Sequence, residues 1–147
     1  MDQKKLDPAV WGPPFWFFLH TVAHTYPEIP NVVTKRKYYD LIQNLPLFLP
    51  DAEIGGHFSK LLDLYPVSPY LDSRDSFLRW MHFIHNKVNV KLGHDEISLY
   101  AGLDAYFEKY RPRIVQVAEN WHLREHYVVG GLIAMAIASI VVLRRYE

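Results

Sequence analysis

The sequence predicts an all-α fold: a four-helix bundle with a short fifth helix, followed by a single transmembrane helix. Three observations carry this expectation. Apolar residues recur at helical spacing in several stretches, short proline-containing turns separate those stretches, and an uncharged run closes the chain.

The first helix is expected from about Phe15 to Thr25, after Pro8 and the Pro13–Pro14 pair. Trp16, Leu19, His20 and Ala23 share one face of it, and Tyr26-Pro27 ends it because the residue before proline is pushed out of the α region. A second helix runs from about Val33 to Leu47 with Tyr38, Leu41, Ile42 and Leu45 on its apolar side, and Pro46 and Pro50 mark its end. Asp51 is suited to cap a third helix reaching about Leu64, with Glu53 favourable in the first turn. Its weak point is Gly55-Gly56, which costs up to about 1 kcal/mol per glycine. "SPYLDSRDSF" reads as a turn in which Asp72 or Ser73 caps a fourth helix. That helix carries Phe77, Trp80, Met81, Ile84, Val88 and Leu92 and ends at Gly93. A fifth stretch, about Gly102 to Tyr110, precedes Arg111-Pro112. The expected division is therefore a helical domain over 1–112, a linker helix over 113–126 and an anchor over 127–143.

The anchor expectation rests on "YVVGGLIAMAIASIVVL", 17 residues without a charge, followed by Arg144 and Arg145. At 1.5 Å per residue it spans roughly 25 Å, slightly short of a bilayer core of about 30 Å. A buried core helix is the competing reading. The segment is apolar on every face, however, and Trp121, His122, Arg124 and His126 precede it as interfacial anchors would. Gly130, Ala134 and Ala138 form a small-residue stripe suited to helix contact in lipid. The N-terminus has no long apolar core, so no signal peptide is expected and the soluble domain is read as facing the cytosol.

Composition removes several function classes. The 16 basic and 16 acidic residues cancel without long blocks, which argues against nucleic acid as a partner. Zero cysteines exclude disulfides, thiolate metal sites and cysteine nucleophiles. His20/His24 and His82/His85 are helical pairs, but none of the four has a glutamate at the Glu-x-x-His spacing, so no metal site is expected.

Polar chemistry concentrates in two places: Trp16 with His20, and the run His82, His85, Asn86, Asn89, Lys91. His85 and Asn89 share a helix face. The sequences around them, "WFFLHTVAHTYPEIP" and "SRDSFLRWMHFIHNKVNVKLG", resemble the two signature motifs of the small FAD-linked sulfhydryl oxidases of the augmenter-of-liver-regeneration type, in the same order. The resemblance covers roughly Gly12 to Leu99. It implies a helical bundle that cradles FAD, with contacts at Gly12, Trp16, His20, Tyr26, His85, Asn86, Asn89 and Lys91. The residue types suit that cofactor: flat rings for stacking, amides for hydrogen bonds and an ammonium for a pyrophosphate.

The same resemblance implies a Pro-Cys-x-x-Cys redox centre after the second helix, where this chain reads Pro50-Asp51-Ala52-Glu53-Ile54. It also implies a structural disulfide between the positions held here by His82 and Leu99. The family's Lys-Pro after Leu-Gly is His94-Asp95. Asp51 and Ile54 cannot perform thiol–disulfide exchange, so no catalytic residue is assigned and thiol oxidation by this chain alone is excluded. The expectation is a membrane-anchored, FAD-binding pseudoenzyme that acts as a binding or scaffold homologue. A flavoprotein using a non-thiol donor, or a cysteine-bearing partner in trans, is the alternative, and a structural membrane protein whose histidines are only core is a third. The family commonly dimerises, which implies a homodimer; a protein partner and a viral or organelle membrane are compatible with the anchor.

Overall fold

The computed structural model describes residues 6–112, 115, 126–135 and 137. Among them every regular element is helical: α1 (Pro8–His24), α2 (Val32–Asn44), α3 (Ala52–Leu64), α4 (Arg74–Lys91) and α5 (Leu99–Glu108), with 3-10 turns at Leu45–Phe48 and Ser68–Tyr70. Residues 126–135 are helical as well. The chain divides into two compact units, Met1–Tyr106 and Phe107–Glu147.

Each helix begins on a side chain suited to cap it. The Asp7 carboxylate accepts from Ala9 N, Asn31 Oδ1 from Thr34 N, Asp51 Oδ1 from Glu53 N and Ile54 N, and Ser73 Oγ from Ser76 N. For α5 the cap is Ser98, whose hydroxyl accepts from Ala101 N at 3.2 Å. That cap starts α5 at Leu99, three residues before the expected start. The α4 exit is a Schellman motif: Gly93, at φ 80°, donates to Val90 O, and His94 N donates to Asn89 O at 2.9 Å.

Two further helix boundaries differ from expectation. Helix α1 starts at Pro8 and runs through Pro13 and Pro14. Those prolines have no N–H for the carbonyls of Ala9 and Val10, but all four residues are exposed and water can take the missing bonds. Helix α2 stops at Asn44 because Pro46 cannot extend the α ladder, and the chain tightens into the 3-10 turn. Gly55 explains itself here. A Cβ on it would lie 2.8 Å from Pro46 O, so only glycine lets α3 lie against that turn. Nothing lies within 4 Å of a Cβ built on Gly56, and its presence has no packing reason.

The core lies mainly between α1 and α4 and is closed by α2 and α3. Leu19, Ala23, Ile42, Phe77, Trp80, Met81 and Ile84 are buried as their spacing predicts. Leu92 is the exception at 44% exposure, because it sits on the α4 C-cap beyond the last covered turn. The polar ends of the core aromatics are satisfied by backbone: Tyr26 Oη donates to Leu71 O at 2.8 Å, and Trp80 Nε1 donates to Tyr65 O at 3.0 Å.

A hydrogen-bonded clasp holds the segment after α4. Asn86 Nδ2 donates to Ile97 O at 2.8 Å, and Ile97 N donates to Asn86 Oδ1 at 3.2 Å. His82 Nε2 lies 3.0 Å from the same carbonyl and 3.2 Å from Asn86 Nδ2. A Cβ on Gly102 would lie 2.8 Å from His82 Cε1 and Nδ1, so α5 closes onto the imidazole through bare backbone.

The expected linker helix falls almost wholly outside the described residues, and of the expected anchor residues 136 and 138–143 lie outside them. Among the described residues no helix is long and apolar enough to cross a membrane.

Asn86→Ala removes the acceptor of Ile97 N and one of the two groups on Ile97 O, and is expected to cost about 1–3 kcal/mol. Urea unfolding should show the loss as a lower midpoint. Gly102→Ala should lower the midpoint too, by displacing the His82 ring. Unchanged midpoints in both variants would show that the clasp carries no stability.

Candidate functional site

The mouth of the bundle is lined by one wall from each of α1, α3 and α4. Trp11, Gly12, Phe15 and Trp16 from α1 face Ile54 and Phe58 from α3 and Val88 and Leu92 from α4. Together with Pro8, Leu19, Leu45 and Leu49 they form an apolar slit of about 40 Å³. It adjoins a cleft of about 230 Å³ lined by Asp51, Glu53, His57 and Lys91, and Pro8, Ile54, Val88 and Leu92 border both. The site thus has an apolar end and a charged end, with Ile54 at the junction.

Behind the slit stands a set of rings. Trp16 and His85 stack with centroids 3.9 Å apart and planes 14° from parallel. His20 Nε2 lies 2.9 Å from His85 Nδ1, so one imidazole donates to the other. Tyr106 of α5 stacks on His24 at 4.4 Å, and its hydroxyl lies 3.1 Å from Thr21 Oγ1. A third ring cannot enter between Trp16 and His85, since that would need roughly twice their separation. A flat ligand would meet the stack on the slit side of Trp16.

Burial, and then the nearby His20 and His82, pull His85 down from the usual imidazole range to about 3. It is therefore neutral at physiological pH. His24 is also lowered, by burial and then by Arg74. His57, one turn after Ile54 on α3, buries its Nε2 with no hydrogen-bond partner. A buried orphan nitrogen at the wall of a cleft is a ready contact for a polar ligand atom.

Of the residues singled out from sequence, Gly12 and Trp16 line the slit and Lys91 the cleft. His20 and His85 back the slit through Trp16. Tyr26 is elsewhere: it is fully buried in the core with its hydroxyl given to Leu71 O. Asn86 is committed to Ile97. Asn89 lies on α4 but lines neither space, and its carbonyl serves the helix exit. Sequence reasoning missed Trp11, Phe15, His57 and Phe58. The last two follow Ile54 at i+3 and i+4, a spacing that would have found them.

The comparisons with known proteins agree with this architecture. The Erv1 / Alr family model matches residues 13–111. A probable FAD-linked sulfhydryl oxidase of Acanthamoeba polyphaga mimivirus is 28% identical over 117 residues, which cover 79% of this chain and 81% of that protein. An FAD-linked sulfhydryl oxidase of Arabidopsis thaliana is 36% identical over 78 residues, covering 53% of this chain and 40% of that one. The crystal structure of the yeast Erv1 core superposes with a TM-score of 0.62 at 24% identity, over 76% of this chain and 89% of that chain, a likeness of fold.

The residues present fit FAD by their chemistry: an apolar slit walled by rings, the unpartnered His57 Nε2, and the Lys91 ammonium for a phosphate.

Acid should loosen the site. The unfolded chain protonates His85 near the ordinary 6.5, whereas the folded chain does so only near 3. Stability is full above the ordinary value and falls as pH drops through that window, by an amount on the order of a few kcal/mol. His85→Gln keeps a hydrogen-bond partner for His20 without titrating. Its urea midpoint should fall less between pH 7 and pH 4 than that of the unsubstituted protein; parallel acid limbs would refute the assignment.

Proposed function

The chain belongs to the Erv1/Alr family, and from that premise we propose that it is an FAD-binding pseudoenzyme: a sulfhydryl oxidase fold whose site binds the flavin but performs no thiol oxidation. One observation carries the reading. The site keeps an apolar slit and an adjoining charged cleft, while the two positions where the resemblance implies cysteines hold Asp51, in the cleft, and Ile54, which borders both. The flavin, when bound, supplies two-electron redox chemistry. This chain's own residues bind and shield it. Trp11, Phe15 and Trp16 exclude water from the ring, Ile54 presents an aliphatic surface, and His57 and Lys91 hold polar and anionic parts. The neutral His85 stacks on Trp16 from behind and is hydrogen-bonded to His20.

Thiol exchange needs a thiolate, and this chain has none. The function is then binding: a flavin-loaded or scaffold subunit, attached to a membrane by 127–143 and paired with a second copy or another protein. The 17 uncharged residues and the Gly130, Ala134, Ala138 stripe support the anchor and the pairing.

The purified full chain in detergent is expected to be yellow, to release FAD on denaturation, and to keep its visible spectrum when dithiothreitol is added without oxygen. Asp51→Cys with Ile54→Cys should make the same flavin bleach. A colourless protein that takes up no added FAD would sink the cofactor, and bleaching of the unsubstituted protein would sink the claim of silence.

A further inference from the structure

We propose that the turn between α1 and α2 is a membrane-contact tip: Ile29, Val32 and Val33 enter an anionic lipid surface while Arg36 and Lys37 engage its headgroups. The inference is independent of the flavin reading and of the anchor proposed at 127–143. It gives a use to the basic triad Lys35–Arg36–Lys37.

The apolar part is held in water by a fixed backbone. Ile29 is 93% exposed, Val32 81% and Val33 68%, although all three are branched aliphatics of the kind most often buried. The turn that carries them is pinned on both sides. Tyr26 and Pro30 are buried, the Tyr26 hydroxyl donates to Leu71 O, and Arg74 Nε donates to Tyr26 O. Asn31 then caps α2 by accepting from Thr34 N.

The basic part sits on the same side. Arg36 follows Val32, and Lys37 follows Val33, by one helical turn, so a cation stands behind each valine. Both cations are exposed, and neither side chain has a hydrogen bond or ion pair among the described residues. Lys35 is already paired with Asp72 and is left out of the count. Of the other carboxylates nearby, Glu28 is held by Arg74, and Asp40 is half-buried one turn beyond Arg36.

An aliphatic tip backed by unpaired cations is complementary to an anionic lipid surface, where the apolar groups leave water and the cations stay at headgroup depth. A protein partner would need anchors that fill matching pockets, commonly aromatic rings or arginine within close contacts. Ile29 stands clear of its neighbours instead, and a fluid interface requires no matching shape.

The chain has no cysteine, so Ile29→Cys labelled with the environment-sensitive dye nitrobenzoxadiazole reports on the tip alone, at a position exposed enough to leave the fold intact. The labelled full chain would be reconstituted in phosphatidylcholine vesicles with and without phosphatidylserine, with Ser59→Cys, exposed on α3, as the control. Emission at Ile29→Cys is expected to move to the blue with phosphatidylserine and to return at high salt, while the control stays as in water. Arg36→Gln with Lys37→Gln should move the docked-to-free ratio about thirtyfold toward free, at about fivefold per cation. An equal blue shift without phosphatidylserine would overturn the role of the cations. No shift in either vesicle, or a shift that follows protein concentration as contact with a second copy would, would overturn the membrane contact. Flavin uptake is read separately from the visible spectrum of the unlabelled chain, so neither result depends on the other.

Discussion

The seam between α1 and α4 is the constraint from which the remaining structure follows. Leu19, Ala23 and Tyr26 on one side and Phe77, Trp80, Met81 and Ile84 on the other are almost entirely removed from water. Each large side chain so buried contributes roughly 1.5–3 kcal/mol. With no disulfide in the chain, the bundle depends on this packing and on hydrogen bonds. The same seam sets the site. Its upper end continues into Trp16, His20 and His85, so the rings behind the slit are an extension of the core and take their orientation from it.

Where the family resemblance implies a disulfide between positions 82 and 99, the chain uses hydrogen bonds and close packing. His82 and Asn86 grip the backbone of Ile97, and Gly102 closes onto the His82 ring. A disulfide commonly contributes about 2–4 kcal/mol through the unfolded state. The clasp acts differently, by satisfying buried polar groups whose exposure to an apolar environment would be costly. It also engages Asn86, a residue whose motif suggested ligand binding, with the backbone of Ile97.

The substitution at position 51 has a local and an electrostatic side. Locally, aspartate is a good N-cap, and α3 begins on it with two hydrogen bonds. Electrostatically, the cap consumes the helix-end donors and leaves a carboxylate at the wall of a cleft. Ile54, one turn in, gives the junction an aliphatic face instead of a nucleophile.

The amino-acid sequence by itself determined the helices, most of the core and the absence of thiol chemistry. Periodicity, caps and prolines are local features, and cysteine content requires no structure at all. It also marked Gly12, Trp16 and Lys91, which do line the mouth. Only the tertiary structure decided which face each remaining polar residue serves. Tyr26 and Asn86 stand in the same motifs as Trp16 and His85, yet Leu71 O and Ile97 claim their hydrogen bonds. Those partners lie 45 and 11 residues away, and no short-range spacing reveals them. Likewise Trp11 and Phe15 join the slit only because α1 continues through two prolines whose missing bonds face water. Backbone groups brought close by folding, more than residue type, separate the ligand-facing side chains from the structural ones.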